Sequence, residues 1–220
     1  MNQLQKLGGF SAISQAVIYV SAFIFFGAFW RFPSEVDSIQ KFAFLAENQV
    51  ILSIVYLIIY VLFGVFLAVL VLALNERLKR NSPVITKFSA IFGVIWVGLV
   101  IASGMIANIG LSAAVALSTT EPEQAMTMWR TINSVVEGLG GGNEVVGGIW
   151  VLSLSFAALN GKEFSKKLNY LGLFVGVVGV LTIYPADLFT EIFGLSQIVW
   201  FTWLGAAMVS TANELHKSDS

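Results

Sequence analysis

The chain has 220 residues, of which 57% are hydrophobic and only 11% are charged. Soluble domains contain about 25% charged residues, so this composition excludes an ordinary soluble domain and indicates an integral membrane protein. The formal net charge of −1 gives no sign of a nucleic-acid partner. The chain has no cysteine, which excludes disulfides, thiolate nucleophiles and Cys-ligated clusters.

Six apolar segments are long enough to cross a hydrocarbon core of ~30 Å, which needs ~20 helical residues. They are residues 9–30, 50–74, 88–107, 143–159, 168–189 and 192–212, and the third segment extends in a longer reading to Leu117. The first segment is too long for a signal peptide and has no cleavage site of small residues. We therefore predict an all-α, multi-pass bundle of six transmembrane helices in one domain (1–220), with a polar tail at 213–220.

Lysine and arginine are concentrated in alternate connections between these segments. One set contains Lys6, Arg77, Lys79, Arg80, Lys87, Lys162, Lys166, Lys167 and Lys217, and the other set contains Arg31, Lys41 and Arg130. By the positive-inside rule, the first set faces the cytoplasm. We therefore expect both termini to be cytoplasmic.

Two connections on the predicted outer side contain a hydroxyl residue followed three residues later by a carboxylate. These pairs are Ser34 with Asp37 and Thr120 with Glu123, an arrangement typical of the capping box that begins a helix. Pro122 stands near the first turn of the second helix, where proline is tolerated. Apolar residues recur at helical spacing after each pair, which predicts two amphipathic helices on the outer side. They either lie at the membrane surface or cover the bundle.

A polar, glycine-rich segment interrupts the fourth apolar segment, with the sequence Glu137-Gly-Leu-Gly-Gly-Gly-Asn-Glu144. Each glycine costs ~1 kcal/mol relative to alanine inside a helix, so we predict a break between Gly138 and Gly142. A membrane helix would then begin near Asn143. Counting back from Asn160 at ~1.5 Å per residue places Glu144 ~24 Å from the inner boundary, in the outer third of the bilayer.

A carboxylate at this depth is costly and is therefore a candidate functional group. Further polar residues reach a similar depth, and we predict an outward-facing polar cavity centred on Glu144. The candidate ligand-binding residues are Glu144, Asn143, Asp187, Tyr184, Asn108, Arg31 and Glu137. Two structural alternatives stay open. Asn143 caps the helix instead of contacting a ligand, or Glu144 forms a structural ion pair with Arg31 or Arg130.

The sequence lacks the residues that several kinds of metal, haem and catalytic site require. The single histidine, His216, lies in the polar tail, so the sequence predicts no metal site, no haem and no other cofactor. No P-loop, GxSxG or HExxH motif occurs, and we assign no catalytic residues.

The segment Gly140-Gly-Gly-Asn-Glu144, followed by Gly148-Ile-Trp150, resembles a family of bacterial six-span integral membrane proteins known only as a domain of unknown function. The resemblance covers about residues 7–212. It implies a multi-pass protein of the bacterial cytoplasmic (inner) membrane, with lipid as its surroundings. It implies neither an activity nor catalytic residues.

Three classes of function remain. In the first, the cavity around Glu144 binds or transports a small cationic or amphipathic molecule, or a proton. In the second, the bundle is a structural or sensory protein that acts through a partner or as a homo-oligomer. In the third, Glu144 and Asp187 serve as acid and base in a membrane enzyme acting on a lipid-like substrate, although the missing nucleophile and metal ligands argue against it.

Overall fold

The computed structural model describes residues 2–141, 144–184 and 186–218. Within these ranges the chain is all-α, as predicted. The α-helices are α1 Asn2–Ile24, α2 Ser38–Glu47, α3 Gln49–Tyr56, α4 Phe63–Leu78, α5 Pro83–Ser118, α6 Pro122–Val136, α7 Val145–Asn160, α8 Lys166–Leu181 and α9 Asp187–Ser218. Three π-helical segments continue or join them at Phe25–Phe29, Leu57–Leu62 and Glu137–Gly141.

Five helices in the described ranges are long and apolar enough to cross a membrane. They are Gln3–Phe29, Gln49–Leu78, Pro83–Ser118, Pro122–Asn160 with its kink, and Asp187–Thr211. The predicted fifth span, 168–189, corresponds to α8, which has 16 residues and is therefore ~24 Å long. Helix α8 ends at Leu181, and a turn follows at Thr182, whose hydroxyl donates to the Gly179 carbonyl. These helices are compatible with a multi-pass membrane protein, whereas a sixth crossing stays a prediction.

Glycines bring neighbouring helices into backbone contact. A Cβ atom on Gly148 of α7 would lie 2.6 Å from the Gly179 carbonyl carbon of α8, and one on Gly205 of α9 would lie 2.6 Å from the Gly9 oxygen of α1. Such stripes of small residues allow membrane helices to approach closely. The α8 glycines Gly172, Gly176 and Gly179 all pack against α7, since an added Cβ atom would overlap Ser155, Leu152 and Gly148 respectively.

The main core lies between α1, α4, α5, α7, α8 and α9 and contains large aromatic side chains. Trp150 stands at its centre, with ring centroids 5.6 Å from Trp96 and 5.9 Å from Trp200. All three tryptophans are buried. Trp200 of α9 thus belongs to the core and not to the surface of the bundle.

A second, smaller core joins α2, α3, α5 and α6. Its buried members are Phe42, Leu45, Leu52, Leu111, Ala114, Ala125, Met126 and Trp129. Helix α5 has 36 residues and is ~54 Å long, which exceeds the ~30 Å of a hydrocarbon core. Its second half therefore reaches beyond the main bundle, where α2 and α6 pack against it.

The two helices predicted from capping boxes both form, but the predicted caps are wrong. Asp37, and not Ser34, is the N-cap of α2, because its carboxylate accepts from the Gln40 N–H at 2.8 Å. The hydroxyl of Thr120 donates to the Leu117 carbonyl of the preceding helix, so it is not available to cap α6. Proline at the first position begins α6 instead. The location of both helices at a membrane surface stays a prediction.

Candidate functional site

The glycine-rich segment breaks the helix as predicted. After α6 ends at Val136, the chain makes one π-helical stretch in which Gly140 has φ +133°, and α7 then begins at Val145. Glycine adopts such a positive φ at little cost because it has no Cβ atom. Gly142 and Asn143 lie outside the described residues, so the predicted capping role of Asn143 is untested.

Glu144 occupies the N-cap position of α7 and is held through its backbone. Its N–H donates to the Thr182 hydroxyl at 2.8 Å, and its carbonyl accepts from the Gly148 N–H at 2.7 Å. The Thr182 hydroxyl in turn donates to the Gly179 carbonyl at 2.7 Å. This chain of hydrogen bonds ties the start of α7 to the end of α8. The Glu144 side chain takes no part in it.

The Glu144 carboxyl group is buried without an ionic partner. The residue is 9% exposed, and its Oε2 accepts no hydrogen bond from the residues that the structure describes. The Trp96 indole N–H lies beside the carboxyl group. The two groups do not form a hydrogen bond of full geometry, since neither the indole nitrogen nor Glu144 Oε2 has a hydrogen-bond partner among the described residues.

The ion pair with Arg31 or Arg130 that the sequence left open does not form among the described residues. Both arginines are exposed. The salt bridges of the described residues join Arg77 to Glu163 and Lys79 to Glu76, at the opposite end of the bundle. Glu144 is therefore a buried carboxylate whose charge the described residues leave uncompensated.

The carboxyl group borders a cavity of about 480 Å³. The cavity lies between the second half of α1, the segment Leu57–Leu62, the middle of α5 and the first turns of α9. Its aromatic lining residues are Tyr19, Phe23, Phe26, Tyr60, Phe63, Trp96 and Phe193. Glu144 is the one acidic or basic side chain among the described lining residues, and hydroxyl groups come from Tyr19, Tyr60 and Thr190.

The size and lining of the cavity are those common among small-molecule sites. Its volume falls within the ~300–1,000 Å³ of small-molecule sites, which are mostly apolar with a few placed polar groups. A single carboxylate supplies charge, and aromatic faces attract cations by ~0.5–2 kcal/mol each. The cavity therefore combines one acidic side chain with a mainly aromatic and apolar lining.

Most other residues predicted for the site lie elsewhere. Arg31, Glu137, Tyr184 and Asp187 are exposed, Asn108 is half-buried on α5, and none of these five lines the cavity. Glu144 and Asp187 therefore do not form an acid and base pair around it. The depth estimate concerned only position along each helix axis, whereas a site also depends on which way a residue faces.

The sequence prediction missed Tyr19, Tyr60 and Trp96 in the lining and Thr182 behind Glu144. Two tyrosines within otherwise apolar spans are a usable signal, since a buried hydroxyl needs a partner. No comparable signal marks Trp96.

The chain matches no protein-family model, no curated protein and no solved structure. The resemblance to a six-span bacterial family therefore stays a prediction, and function is argued from the geometry of this chain.

Proposed function

We propose that this protein binds an amphipathic organic cation in the cavity beside Glu144 and carries it across the cytoplasmic membrane. The observation that supports the proposal is a buried carboxylate, unpaired among the described residues, that borders a cavity lined mainly by aromatic side chains. An ionisable side chain at membrane depth is costly, and such groups usually serve a ligand or ion pathway.

The lining favours an organic cation over a small inorganic one. Inorganic cations are strongly hydrated and need several oxygen ligands to replace their water. Here the described lining offers one carboxylate and the hydroxyls of Tyr19, Tyr60 and Thr190. A quaternary ammonium or phosphonium group carries little water and gains from the aromatic faces. Its apolar substituents also gain ~25 cal/mol for each Å² removed from water.

Exchange for a proton follows from the chemistry of a single carboxylate. Glu144 neutralises either a bound cation or a proton, so the two compete for one site. The positive-inside rule puts the end of the bundle that holds the cavity on the outer side. A carrier of this kind would also need a state that opens inward.

The alternative is a structural or sensory bundle that acts through a partner or as a homo-oligomer. A purely structural carboxylate is expected to be paired, because losing one partner of a buried pair costs ~3–5 kcal/mol. The enzyme alternative has less support, since the described lining contains no second carboxylate to act with Glu144.

Binding of tetraphenylphosphonium to the purified protein tests the proposal. We expect Glu144→Gln to weaken binding by about ten-fold or more, since it removes ~1.4 kcal/mol or more of charge compensation. Glu137→Gln is the matched control, because Glu137 is an exposed carboxylate in the same glycine-rich segment and does not line the cavity. Tetraphenylborate, an anion of the same shape, should not bind. Equal affinity of wild type and Glu144→Gln would contradict the proposal.

The melting temperature separates function from structure in the same samples. An unpaired buried carboxylate destabilises the fold, so Glu144→Gln should melt at the same or a higher temperature. A large fall in melting temperature would instead assign Glu144 a structural role.

A further inference from the structure

We infer that the ligand enters this cavity sideways from the outer leaflet, through an opening beside α1, and that it is a cationic amphiphile with an alkyl chain. The inference rests on the proposed function. It adds the route of entrance and the chemical class of the substrate. In the following, "lateral opening" means the gap bordered by Phe23, Phe26 and Gly27 on one side and by Ile59 and Tyr60 on the other.

Burial changes from one end of the cavity to the other. Glu144, Trp96, Phe63 and Phe193 are buried and form the deep end. At the lateral opening, Phe23 is 41% exposed and Phe26 is 39% exposed, and Gly27 is also exposed. The carboxylate therefore stands at the closed end of a cavity whose open end belongs to α1 and its π-helical continuation.

The side of α1 that faces α9 is closed. Phe23 packs against Gly194, since a Cβ atom added there would lie 2.9 Å from the Phe23 ring. Deeper in the bundle, the Tyr19 ring contacts the Phe63 ring of α4 at 5.5 Å between centroids. The cavity therefore reaches the surface on the other side of α1, above Tyr19 and next to the segment Leu57–Leu62.

The depth of the lateral opening is that of the outer leaflet. Counted from Lys6 at ~1.5 Å per residue, Phe23 lies ~25 Å and Gly27 ~31 Å along the helix. No charged residue occurs between Lys6 and Arg31. The large exposed side chains around it are apolar, namely Val20, Ile24, Phe29, Leu57, Ile58 and Leu62, and Ser21 adds one small hydroxyl to this stretch of α1. Lipid chains, and not water, are the expected neighbours of such a surface.

A ligand that crosses this apolar rim must itself partition into lipid. A headgroup with a positive charge satisfies Glu144 at the deep end, while an alkyl chain passes the two phenylalanines and stays in contact with lipid. The chain then gains affinity at the rim without being fully enclosed by protein. A compact cation without a chain makes no use of the rim.

Gly27 provides a way to block the lateral opening without disturbing the packing. A Cβ atom at Gly27 would meet no heavy atom within 4 Å, so a large side chain has room there and would occupy the opening. Gly98 on α5 has the same free space and does not line the cavity. Gly27→Phe and Gly98→Phe are therefore a matched pair.

The test measures binding of two quaternary ammonium ions to protein in phosphatidylcholine nanodiscs. We expect Gly27→Phe to weaken dodecyltrimethylammonium binding by about ten-fold relative to wild type, while tetramethylammonium binding changes by less than about two-fold. Gly98→Phe should match wild type for both ions. The amount of amphiphile that partitions into the lipid is the same for every variant, because all are measured in the same nanodiscs. Differences in affinity between variants therefore reflect the protein.

The outcomes separate the two proposals. If wild type binds tetraphenylphosphonium no better than Glu144→Gln does, the proposed function fails and the inference fails with it. If wild type binds tetraphenylphosphonium but not dodecyltrimethylammonium, or if Gly27→Phe weakens neither quaternary ammonium ion or weakens both equally, only the inference fails. Should Gly27→Phe not fold, as judged by its melting temperature, Ile59→Phe on the opposite rim carries the same expectation.

Discussion

At the scale of single residues, the site depends on Thr182, which belongs to no sequence motif. The Thr182 hydroxyl accepts from the Glu144 N–H and donates to the Gly179 carbonyl, so both of its hydrogen-bonding functions are used. The first N–H groups of a helix have no partner within the helix. Thr182 therefore supplies, from α8, the acceptor that the start of α7 requires.

Thr182→Val should lower the free energy of unfolding by about 1–3 kcal/mol, because it keeps the shape of the side chain but leaves a buried N–H unsatisfied. Thr202→Val is the control, since Thr202 is exposed on α9 and bonds only to its own helix. Thermal and denaturant unfolding in detergent measure both. A similar loss in the two variants would show that the contact to Glu144 contributes nothing.

At the scale of elements, the glycine-rich segment works through one residue whose backbone no other amino acid adopts easily. Gly140 has φ +133°, lies beside Val100 of α5 and lines the cavity. Gly138, two residues earlier, has an ordinary backbone conformation, and a Cβ atom there would meet nothing within 4 Å. The two glycines therefore have different physical roles.

Gly140→Ala should destabilise the protein by about 1–3 kcal/mol, since an L-residue is strained at this φ. Gly138→Ala should be neutral or stabilising by up to ~1 kcal/mol, because alanine favours a helix. Melting temperatures of the two variants give the comparison. Equal effects would mean that the break does not depend on the conformation of Gly140.

At the scale of the whole molecule, the number of membrane crossings depends on α8. It has only 16 residues, yet it packs along α7 through Gly148, Gly176 and Gly179. A helix of ~24 Å can cross where the bilayer thins or where neighbouring helices surround it. In that case the two ends of α8 face opposite compartments.

Because the chain has no cysteine, single introduced cysteines report topology directly. We expect Lys166→Cys to react with a membrane-impermeant maleimide only from the cytoplasmic side, and Tyr184→Cys only from the outer side. Lys79→Cys and Glu35→Cys, at exposed positions in a predicted inner and outer connection, calibrate the two sides. Reaction of Lys166→Cys and Tyr184→Cys from the same side would leave five crossings.

The helices and the helix break could be predicted from the sequence because both depend on local chemistry. The lengths of the apolar runs predicted helices in all six segments. The glycine run predicted the break before α7, since the free-energy cost of glycine in a helix depends on the backbone of that residue alone. Counting residues along a helix also led to the expectation that Glu144 is buried, and its side chain is buried within the protein, while its depth in a bilayer stays a prediction. The caps of α2 and α6 could not be predicted, because several nearby residues compete for the same few N–H groups.

Local chemistry was thus enough to predict a helical, membrane-compatible chain with Glu144 beside a broken helix. The surroundings of that carboxylate depend instead on how the helices pack. Arg31 and Asp187 share its estimated depth but face away, while Tyr19, Tyr60 and Trp96 from distant segments line the cavity with it. The reason is geometric: rise along a helix follows from residue number alone, but the direction in which a side chain points depends on how the helices pack.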